Sequence, residues 1–401
     1  MTPFAERAIE DALKTGSAIL KFISPNDVGL TGGHQCGYYL PKKVWKLFTV
    51  NPPTKGQNSE FLVTILWQDG RETKSRVVWY GVKSRCEYRL TRFGKEFPFL
   101  TNDCVGDLLV LIPQSMDKFH AYVLEGEEDI EGIQSALGIL ITETWAAYIC
   151  GKEETTETPD ECVERKFREF AVRLKDFPST KIISKATLDA IEQCIKAFSS
   201  LSYDERLMQL IQKEYRLFRM IERQVCQNDI VRTFKDVDDF LTTASSILNR
   251  RKARAGRALE NHFEFLLRQA EIPFEARPRI DGTDEPDILI PSKAAYENPN
   301  YDVNKLCMIG LKTTCKDRWR QVTQEAQRIP QKHILTLQNG ISPNQLIQMR
   351  QANVSLIIPK SLQKLYPTKD TGIKIFTIDD FVKSLGAIHG RSPVQRQDLF
   401  G

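Results

Sequence analysis

The residues best suited to chemistry lie in the second half of the chain, at the ends of short apolar runs. Asp287 precedes the run ILI, and Lys312 closes the run CMIGL. If these runs are neighbouring strands, their polar ends can meet at one edge of a sheet. Glu325 follows on a predicted helix that can fold back over the sheet, and Glu260 lies on the long helical segment before Asp287. The sequence therefore predicts a site made of these four residues.

This combination of side chains suits the hydrolysis of a phosphodiester. Carboxylates such as Asp287 and Glu325 can hold Mg²⁺, which polarises a phosphoryl oxygen and lowers the pKa of a bound water. A lysine beside the cation can orient that water and offset charge on the phosphate. The alternative is structural, with Asp287 capping a turn and with Lys312 and Glu325 in solvent. Spacing alone leaves both interpretations open.

A basic segment directly before Glu260 indicates a nucleic-acid partner. The run NRRKARAGR (249–257), which includes Arg254, is dense in cations. Cations clustered along one helix suit contact with the phosphates of DNA. A solvated helix face would have the same composition, so this segment supports DNA binding without requiring it.

The run KDRWRQ (316–321) follows Lys312 and has the side chains that read base pairs. Arginines such as Arg318 and Arg320 can donate to guanine, and an acid such as Asp317 can accept from cytosine. Together they suit C·G pairs. We expect Trp319 to be a packing residue.

The composition excludes several classes of site. With 41% hydrophobic residues, 27% charged residues and a net charge of +4, the chain is that of an ordinary globular protein that can bind nucleic acid. The 9 cysteines form no CxxC pair and the 5 histidines no HxH or HExxH motif, so we expect neither a disulfide framework nor a transition-metal site. We expect no membrane partner, because no apolar run could span a bilayer and the N-terminus is no signal peptide.

Residue patterns divide the chain. The first part contains β-rich runs such as FLVTILWQ and SRVVWYGV. A polar, acidic segment at 151–162 suits a linker, and from about residue 163 the apolar spacing is helical. After residue 272, apolar strands alternate with helices, which predicts a buried, mainly parallel sheet. We predict an all-β domain over 1–150, a linker over 151–175 and an α/β domain over 176–401.

Segments from both halves of the chain resemble the EcoRII-type restriction endonucleases. They are TGGHQCGYYLP (31–41), RCEYRLTRFG (85–94), NRRKARAGRALE (249–260), PDILIPSKAAY (286–296) and LKTTCKDRWRQ (311–321). The resemblance implies a DNA-binding pseudobarrel at the N-terminus and a PD-(D/E)xK nuclease domain, with a central mixed sheet flanked by helices, at the C-terminus. It also implies Mg²⁺, a homodimer formed through the C-terminal domain, and a prokaryotic cytoplasm.

The same resemblance assigns Glu260, Asp287, Lys312 and Glu325 to the active site, with Asp287 and Glu325 as metal ligands. Gly310 stands where the superfamily motif has an acid. In the branch that cuts CCGG and CCNGG-like sites, this acid comes from the next helix, and Glu325 matches that displaced position.

The resemblance also implies DNA contacts in both domains. Tyr296 matches one wall of a pocket for a flipped base. The implied contacts in the nuclease domain are Arg254, Tyr296, Lys316, Asp317, Arg318 and Arg320. Those in the N-terminal domain are Lys21, His34, Tyr39, Arg85, Glu87 and Arg89.

The implied function is that of a type IIE restriction endonuclease. Such an enzyme would cut double-stranded CC(A/T)GG before the first C, with an N-terminal domain that binds another copy of the site and otherwise blocks the cleft. Two alternatives remain: a repair nuclease that reads DNA structure, and a non-catalytic DNA-binding regulator. The KDRWRQ cluster argues against the first. Asp287, Lys312 and Glu325 together argue against the second.

Overall fold

The computed structural model describes residues 1–32, 36–48, 54–82, 86–142, 144–150, 161–282, 284–369 and 371–389. The chain divides into two compact units. The first comprises Met1–Glu154, Gln338–Leu346 and Lys364–Thr371, and the second comprises Thr155–Leu337, Ile347–Gln363 and Gly372–Gly401.

The first unit is built on an eight-stranded sheet. Its strands are β1 Ser17–Phe22, β2 Tyr38–Leu40, β3 Ser59–Trp67, β4 Glu72–Tyr80, β5 Glu87–Thr91, β6 Leu108–Pro113, β7 Lys118–Leu124 and β8 Trp145–Ile149. Their order is β2-β5-β4-β3-β7-β6-β1-β8. Strands β3 and β7 pair in parallel, and the other described pairs are antiparallel.

This sheet is buried on both faces at its centre. In β6, Leu109 and Leu111 join one apolar core, whereas Leu108, Val110 and Ile112 join another on the opposite face. The alternation follows from the two-residue period of a strand. Helices α1 (Pro3–Thr15) and α2 (Glu127–Leu137) contribute to the second core. The prediction of an all-β domain did not include these two helices, which a sheet with two apolar faces needs as cover.

The second half of the chain is rich in helices. They are α3 Glu161–Val172, α4 Thr180–Cys194, α5 Tyr203–Val225, α6 Gln227–Val231, α7 Val237–Gln269, α8 Lys293–Glu297, α9 Trp319–Val322, α10 Pro343–Gln351, α11 Lys360–Gln363 and α12 Ile378–His389. None of the described helices is long and apolar enough to cross a membrane.

Helix α3 departs from the predicted linker. Its residues Val163, Phe167 and Ala171 are buried in one apolar core with side chains of α4 and α5. The segment from residue 161 is therefore a packed helix of the second unit, and residues 151–160 lie outside the described part. Contrary to the expectation from cysteine spacing, a disulfide joins Cys162 and Cys194. The two cysteines meet because α3 and α4 pack together, which their spacing in sequence does not reveal.

The ends of helices α5 and α12 cap each other through two carboxylates. Asp204 accepts from the backbone N–H groups of Ile378 (3.1 Å) and Asp379 (3.0 Å), and Asp379 accepts from that of Tyr203 (3.2 Å). These are N–H groups that a helix cannot satisfy internally. Burial and the hydrogen bond with Asp379 raise the pKa of Asp204 to about 6.

The second unit contains a six-stranded mixed sheet. Its strands are β9 Glu275–Ala276, β10 Ile288–Ile290, β11 Cys307–Lys312, β12 Lys332–Thr336, β13 Val354–Ile357 and β14 Ile375–Phe376, in the order β14-β13-β12-β11-β10-β9. Strands β9, β10 and β11 pair antiparallel, and β11 to β14 pair in parallel. The mixed sheet with flanking helices was predicted for this region.

Candidate active site

Strands β10 and β11 bring Asp287 and Lys312 together. Their antiparallel register sets Ile288 opposite Ile309, so the residue before β10 lies at the same edge as the end of β11. Lys312 Nζ lies 2.9 Å from Asp287 Oδ2. The backbone N–H of Leu311 donates to that same oxygen, at 2.7 Å. Asp287 is thus held by main chain and side chain at a partly buried place.

Glu325 belongs to the same electrostatic cluster, although it does not lie on a helix. Helix α9 ends at Val322, and Glu325 lies in the turn that follows. Burial raises the pKa of the Glu325 carboxyl to about 7; Lys312 opposes this shift, whereas Asp287 and Asp284 reinforce it. The prediction of a helix through this residue was wrong, because the chain turns at Ala326, whose φ is 48°.

Close packing explains why position 310 is a glycine and not an acidic residue. A Cβ atom at this position would lie 2.8 Å from Cγ2 of Val322, closer than packed carbon atoms approach. Val322 is fully buried on α9. An acid on β11 would therefore displace α9, whereas Glu325 carries its carboxylate into the cluster from beyond that helix.

Glu260 is held by two arginines. Arg277 Nη2 donates to Glu260 Oε1 at 2.7 Å, and Arg257 Nη1 donates to Oε2 at 2.8 Å. The backbone N–H of Arg277 in turn donates to the carbonyl of Asp287, at 3.1 Å. Glu260 thus connects to the Asp287 strand end through Arg277, which the sequence reasoning missed. No feature of the local pattern distinguishes Arg277 from a surface cation.

Some of the residues of the KDRWRQ segment that we predicted to read bases are exposed to solvent. Asp317 and Arg320 are exposed and Arg318 is half-buried, whereas Lys316 is buried. The Arg320 guanidinium lies 4.7 Å from the centre of the Trp319 ring. Trp319 is 4% exposed, which makes it the packing residue that we expected.

Two other residues predicted to contact DNA are buried. Arg254 is 3% exposed and lies over the rings of Tyr215 and Phe218, at 4.7 and 5.4 Å. Tyr296 is also 3% exposed, and its hydroxyl donates to Asp281. The prediction that Arg254 faces DNA is therefore wrong. It failed because the helical spacing of residues 249–257 does not show which side of the helix packs against α5.

In the first unit, Lys21 is buried rather than exposed to DNA. It is 1% exposed and forms an ion pair with Asp27, which is fully buried. Asp27 also accepts from the Ser24 N–H at 2.8 Å and from the Tyr39 N–H at 2.7 Å. Lys21 therefore neutralises a carboxylate that organises the loop, and the prediction that it faces DNA is corrected.

The other predicted contacts of the first unit lie on paired strands. Tyr39 of β2 stands opposite Arg89 of β5. Arg89 is buried, at 9% exposed, and its Nε lies 3.6 Å from Glu87 Oε1, so the prediction that it faces DNA does not fit this arrangement. Burial, then the charge of Glu87, raises the pKa of Tyr39. His34 and Arg85 lie outside the described residues.

Both units match families of known proteins. Residues 12–150 match "Restriction endonuclease EcoRII, N-terminal", and residues 218–382 match "EcoRII C terminal". The type II restriction enzyme EcoRII of Escherichia coli is 32% identical over 415 residues, which cover 98% of this chain and 100% of that protein. This chain belongs to the EcoRII family. It is therefore a type II restriction endonuclease, a site-specific endodeoxyribonuclease.

A more distant relative is also a restriction enzyme. The type II restriction enzyme SsoII of Shigella sonnei is 24% identical over 144 residues, which cover 33% of this chain and 46% of that protein. Among solved structures, metal-depleted Ecl18kI in complex with uncleaved, modified DNA is 19% identical, with a TM-score of 0.45 over 58% of this chain and 87% of that one. The EcoRII-family assignment rests on the full-length match and not on these two.

The candidate metal ligands of this EcoRII-family chain are few in the part of the chain that the structure describes. Among the described residues, no group of three or more His, Cys, Asp or Glu side chains is arranged to hold a metal ion. Burial and, after it, the charge of Asp287 raise the pKa of the Glu325 carboxyl, so these two carboxylates influence each other electrostatically. Two carboxylates suit a cation that keeps waters and substrate oxygens in its coordination shell.

Proposed function

We propose that this EcoRII-family endonuclease hydrolyses double-stranded DNA with Mg²⁺, using Asp287 and Glu325 to hold the cation. The observation that carries the proposal is the ion pair between Lys312 and Asp287, with 2.9 Å between Nζ and Oδ2. The pKa of the Glu325 carboxyl, which burial raises, also responds to the charges of these two residues. Mg²⁺ is typically bound by one or two carboxylates together with waters and phosphate oxygens, so this donor set fits it. When bound, the cation would polarise the scissile phosphate and lower the pKa of a bound water.

The chain's own residues then have separate tasks. Lys312 lies beside Asp287, where its ammonium group can orient the attacking water and offset negative charge on the phosphate. Leu311 fixes the Asp287 carboxylate through its backbone N–H. Glu260, tied to Arg277, restrains the chain that carries Asp287.

We further propose CC(A/T)GG as the target, cut before the first C. Asp317, Arg318 and Arg320 would read one CC:GG half, and their place directly after Lys312 supports coupling of reading to cleavage. A homodimer formed through the C-terminal unit would read both halves, because a two-fold symmetric site suits a two-fold symmetric protein. Tyr296 remains the candidate wall for a flipped base; its buried ring would have to become accessible to stack on one.

The first unit is proposed to bind another copy of the site and to regulate cleavage. Tyr39 and Glu87, both half-buried, are the described residues that support this role, since they lie on the paired strands β2 and β5; buried Arg89 would have to become accessible to contact DNA. DNA binding by this unit would relieve inhibition of the second.

The test uses plasmids that carry zero, one, two or three CC(A/T)GG sites, incubated with protein and Mg²⁺, with the cut ends mapped. We expect cutting before the first C, at a rate that rises with the number of sites. Equal rates with one and three sites would contradict the regulatory role and leave the nuclease intact. Cutting elsewhere would contradict the target, and no cutting with Mg²⁺ would contradict the cofactor.

A further inference from the structure

The turn that carries Glu325 has little support of its own. Between Val322 and Ile329 the backbone-to-backbone hydrogen bonds of the described residues are short-range, such as Ile329 N–H to the Ala326 carbonyl at 2.9 Å, while the Arg328 N–H reaches outside the turn to the Tyr296 hydroxyl at 3.3 Å. Ala326 has a φ of 48°, in the left-handed region that side chains disfavour. Such a conformation is unfavourable for a residue with a side chain and persists only where its surroundings hold it. Something outside the turn must therefore stabilise it.

Lys332 provides this support from the first residue of β12. Its Nζ donates to the carbonyls of Glu325 (2.6 Å), Ala326 (2.7 Å) and Ile329 (2.7 Å). An ammonium group has three protons, so these three bonds use its full donor capacity. The side chain is 4% exposed, and its own backbone N–H is fixed on Asn353 at 3.0 Å. Lys332 is thus a buried bridge between the sheet and the Glu325 turn.

A second cation anchors the same turn on its other side. Arg328 donates from Nη1 to the carbonyl of Asn298 and from Nη2 to that of Tyr301, both at 2.7 Å, and also to the carbonyl of Tyr296. Both cations therefore bind main chain instead of a carboxylate. Burying a lysine is costly. Its presence here is explained if the position of Glu325 depends on it.

We propose that Lys332 is a positioning residue, which holds the Glu325 carboxylate where it can bind a divalent cation together with Asp287. The proposal rests on the proposed function, because it takes Glu325 as a cation ligand. Lys332 acts through three backbone carbonyls and touches neither DNA nor the reacting atoms. Removing its donors should loosen the turn and weaken cation binding, while the KDRWRQ surface remains in place.

The test compares Lys332→Met, which keeps the stem and removes the donors, with Lys305→Met, an exposed lysine before β11. Mn²⁺ uptake by the metal-free full-length protein is followed by electron paramagnetic resonance, alongside metal-free DNA binding and circular dichroism. We expect Lys332→Met to weaken Mn²⁺ binding about 10- to 100-fold, as the loss of a group that orients a ligand does. Metal-free DNA binding should stay within about twofold, and excess Mg²⁺ should recover most cleavage.

Two further variants separate the possible failures. If Lys332→Met does not fold, the double variant with Ala326→Gly relieves the left-handed strain while still lacking the donors. Wild-type Mn²⁺ affinity in either folded variant would overturn the positioning role. Failure of both variants to fold would also overturn it, because Lys332 would then be required for general stability. Glu325→Gln tests the underlying function: if it binds Mn²⁺ like the wild type, the metal role of Glu325 is wrong.

Discussion

Lys312 and Asp287 form an ion pair of 2.9 Å between the last residue of β11 and the residue before β10. The acceptor is the same carboxylate oxygen that receives the Leu311 N–H at 2.7 Å. The lysine and the backbone beside it therefore orient one carboxylate together. A change at either residue removes a contact that holds the other in place, which makes the pair the first target for mutation.

Lys312→Ala should abolish most cleavage and leave DNA binding. The variant lacks the cation that would orient water and offset phosphate charge, which costs about 10²- to 10³-fold in rate. Single-turnover cleavage and gel-shift affinity are measured side by side, with Lys305→Ala, an exposed lysine just before the same strand, as the matched control. A cleavage rate in Lys312→Ala equal to that of the control would remove Lys312 from the mechanism.

Arg320→Ala should reduce discrimination between cognate and non-cognate DNA. Arg320 is exposed beside Trp319, and a lost arginine–guanine contact costs about 1–3 kcal/mol. The ratio of affinities for a CC(A/T)GG duplex and a scrambled duplex measures it. Arg279→Ala, with a side chain 83% exposed, is the control for loss of a positive charge. An equal loss of affinity for both duplexes would mean that Arg320 contacts only the backbone of DNA.

Gly310→Ala should destabilise the second unit through its contact with Val322. The added Cβ atom would lie 2.8 Å from Val322 Cγ2, and overpacking of this kind costs about 1–3 kcal/mol. Denaturant unfolding measures the loss, and the double variant Gly310→Ala/Val322→Ala should be less destabilised than the two single losses added together. Simple additivity would show that the two positions do not share this constraint.

In the variant Lys21→Ala, the first unit should unfold more readily, because Asp27 is left buried without its ion-pair partner. Breaking a buried pair costs about 3–5 kcal/mol. Tryptophan fluorescence follows this unit well, since it holds four of the 5 tryptophans, namely Trp45, Trp67, Trp79 and Trp145. Lys14→Ala, an exposed lysine on α1, is the control. Weaker DNA binding with unchanged unfolding would restore Lys21 as a DNA contact.

Asp204 should make the second unit less stable as the pH rises from about 4 to 6. Its carboxyl pKa is raised from 3.8 to about 6, mainly by burial, so in this window the folded state keeps a proton that the unfolded state releases. The free energy of unfolding therefore falls with rising pH, by up to about 3 kcal/mol. For Asp379, burial alone would raise the pKa, but its hydrogen bonds lower it below the ordinary value of 3.8. The titration of Asp379 therefore affects stability only below about pH 4.

Thermal unfolding between pH 4 and pH 6.5 tests this dependence. Asp204→Asn should show a flatter pH profile than the wild type, whatever its absolute stability, because the titrating group is gone. Asp380→Asn changes an exposed carboxylate on α12, the helix whose N-terminus Asp204 caps, and should retain the wild-type slope. Parallel profiles for wild type and Asp204→Asn would exclude Asp204 as the source.

The strands and their polar ends were predictable from the sequence. The runs ILI and CMIGL are short and apolar throughout, and they form β10 and most of β11 in the structure. Asp287 at the start of β10 and Lys312 at the end of β11 meet at one edge because these two strands pair antiparallel, which the local pattern does not decide. The long helices α4, α5 and α7 were equally predictable, since apolar residues at helical spacing indicate a face that must be covered.

Tertiary structure alone decided which cations are exposed and what they bind. Lys21 and Arg254 have the spacing of surface residues, yet one neutralises buried Asp27 and the other stacks on aromatic rings. Glu325 owes its place to the carbonyl bonds of Lys332 and not to a helix. The physical reason is that periodicity reports only the local backbone, whereas burial and charge pairing depend on groups that packing brings from elsewhere in the chain.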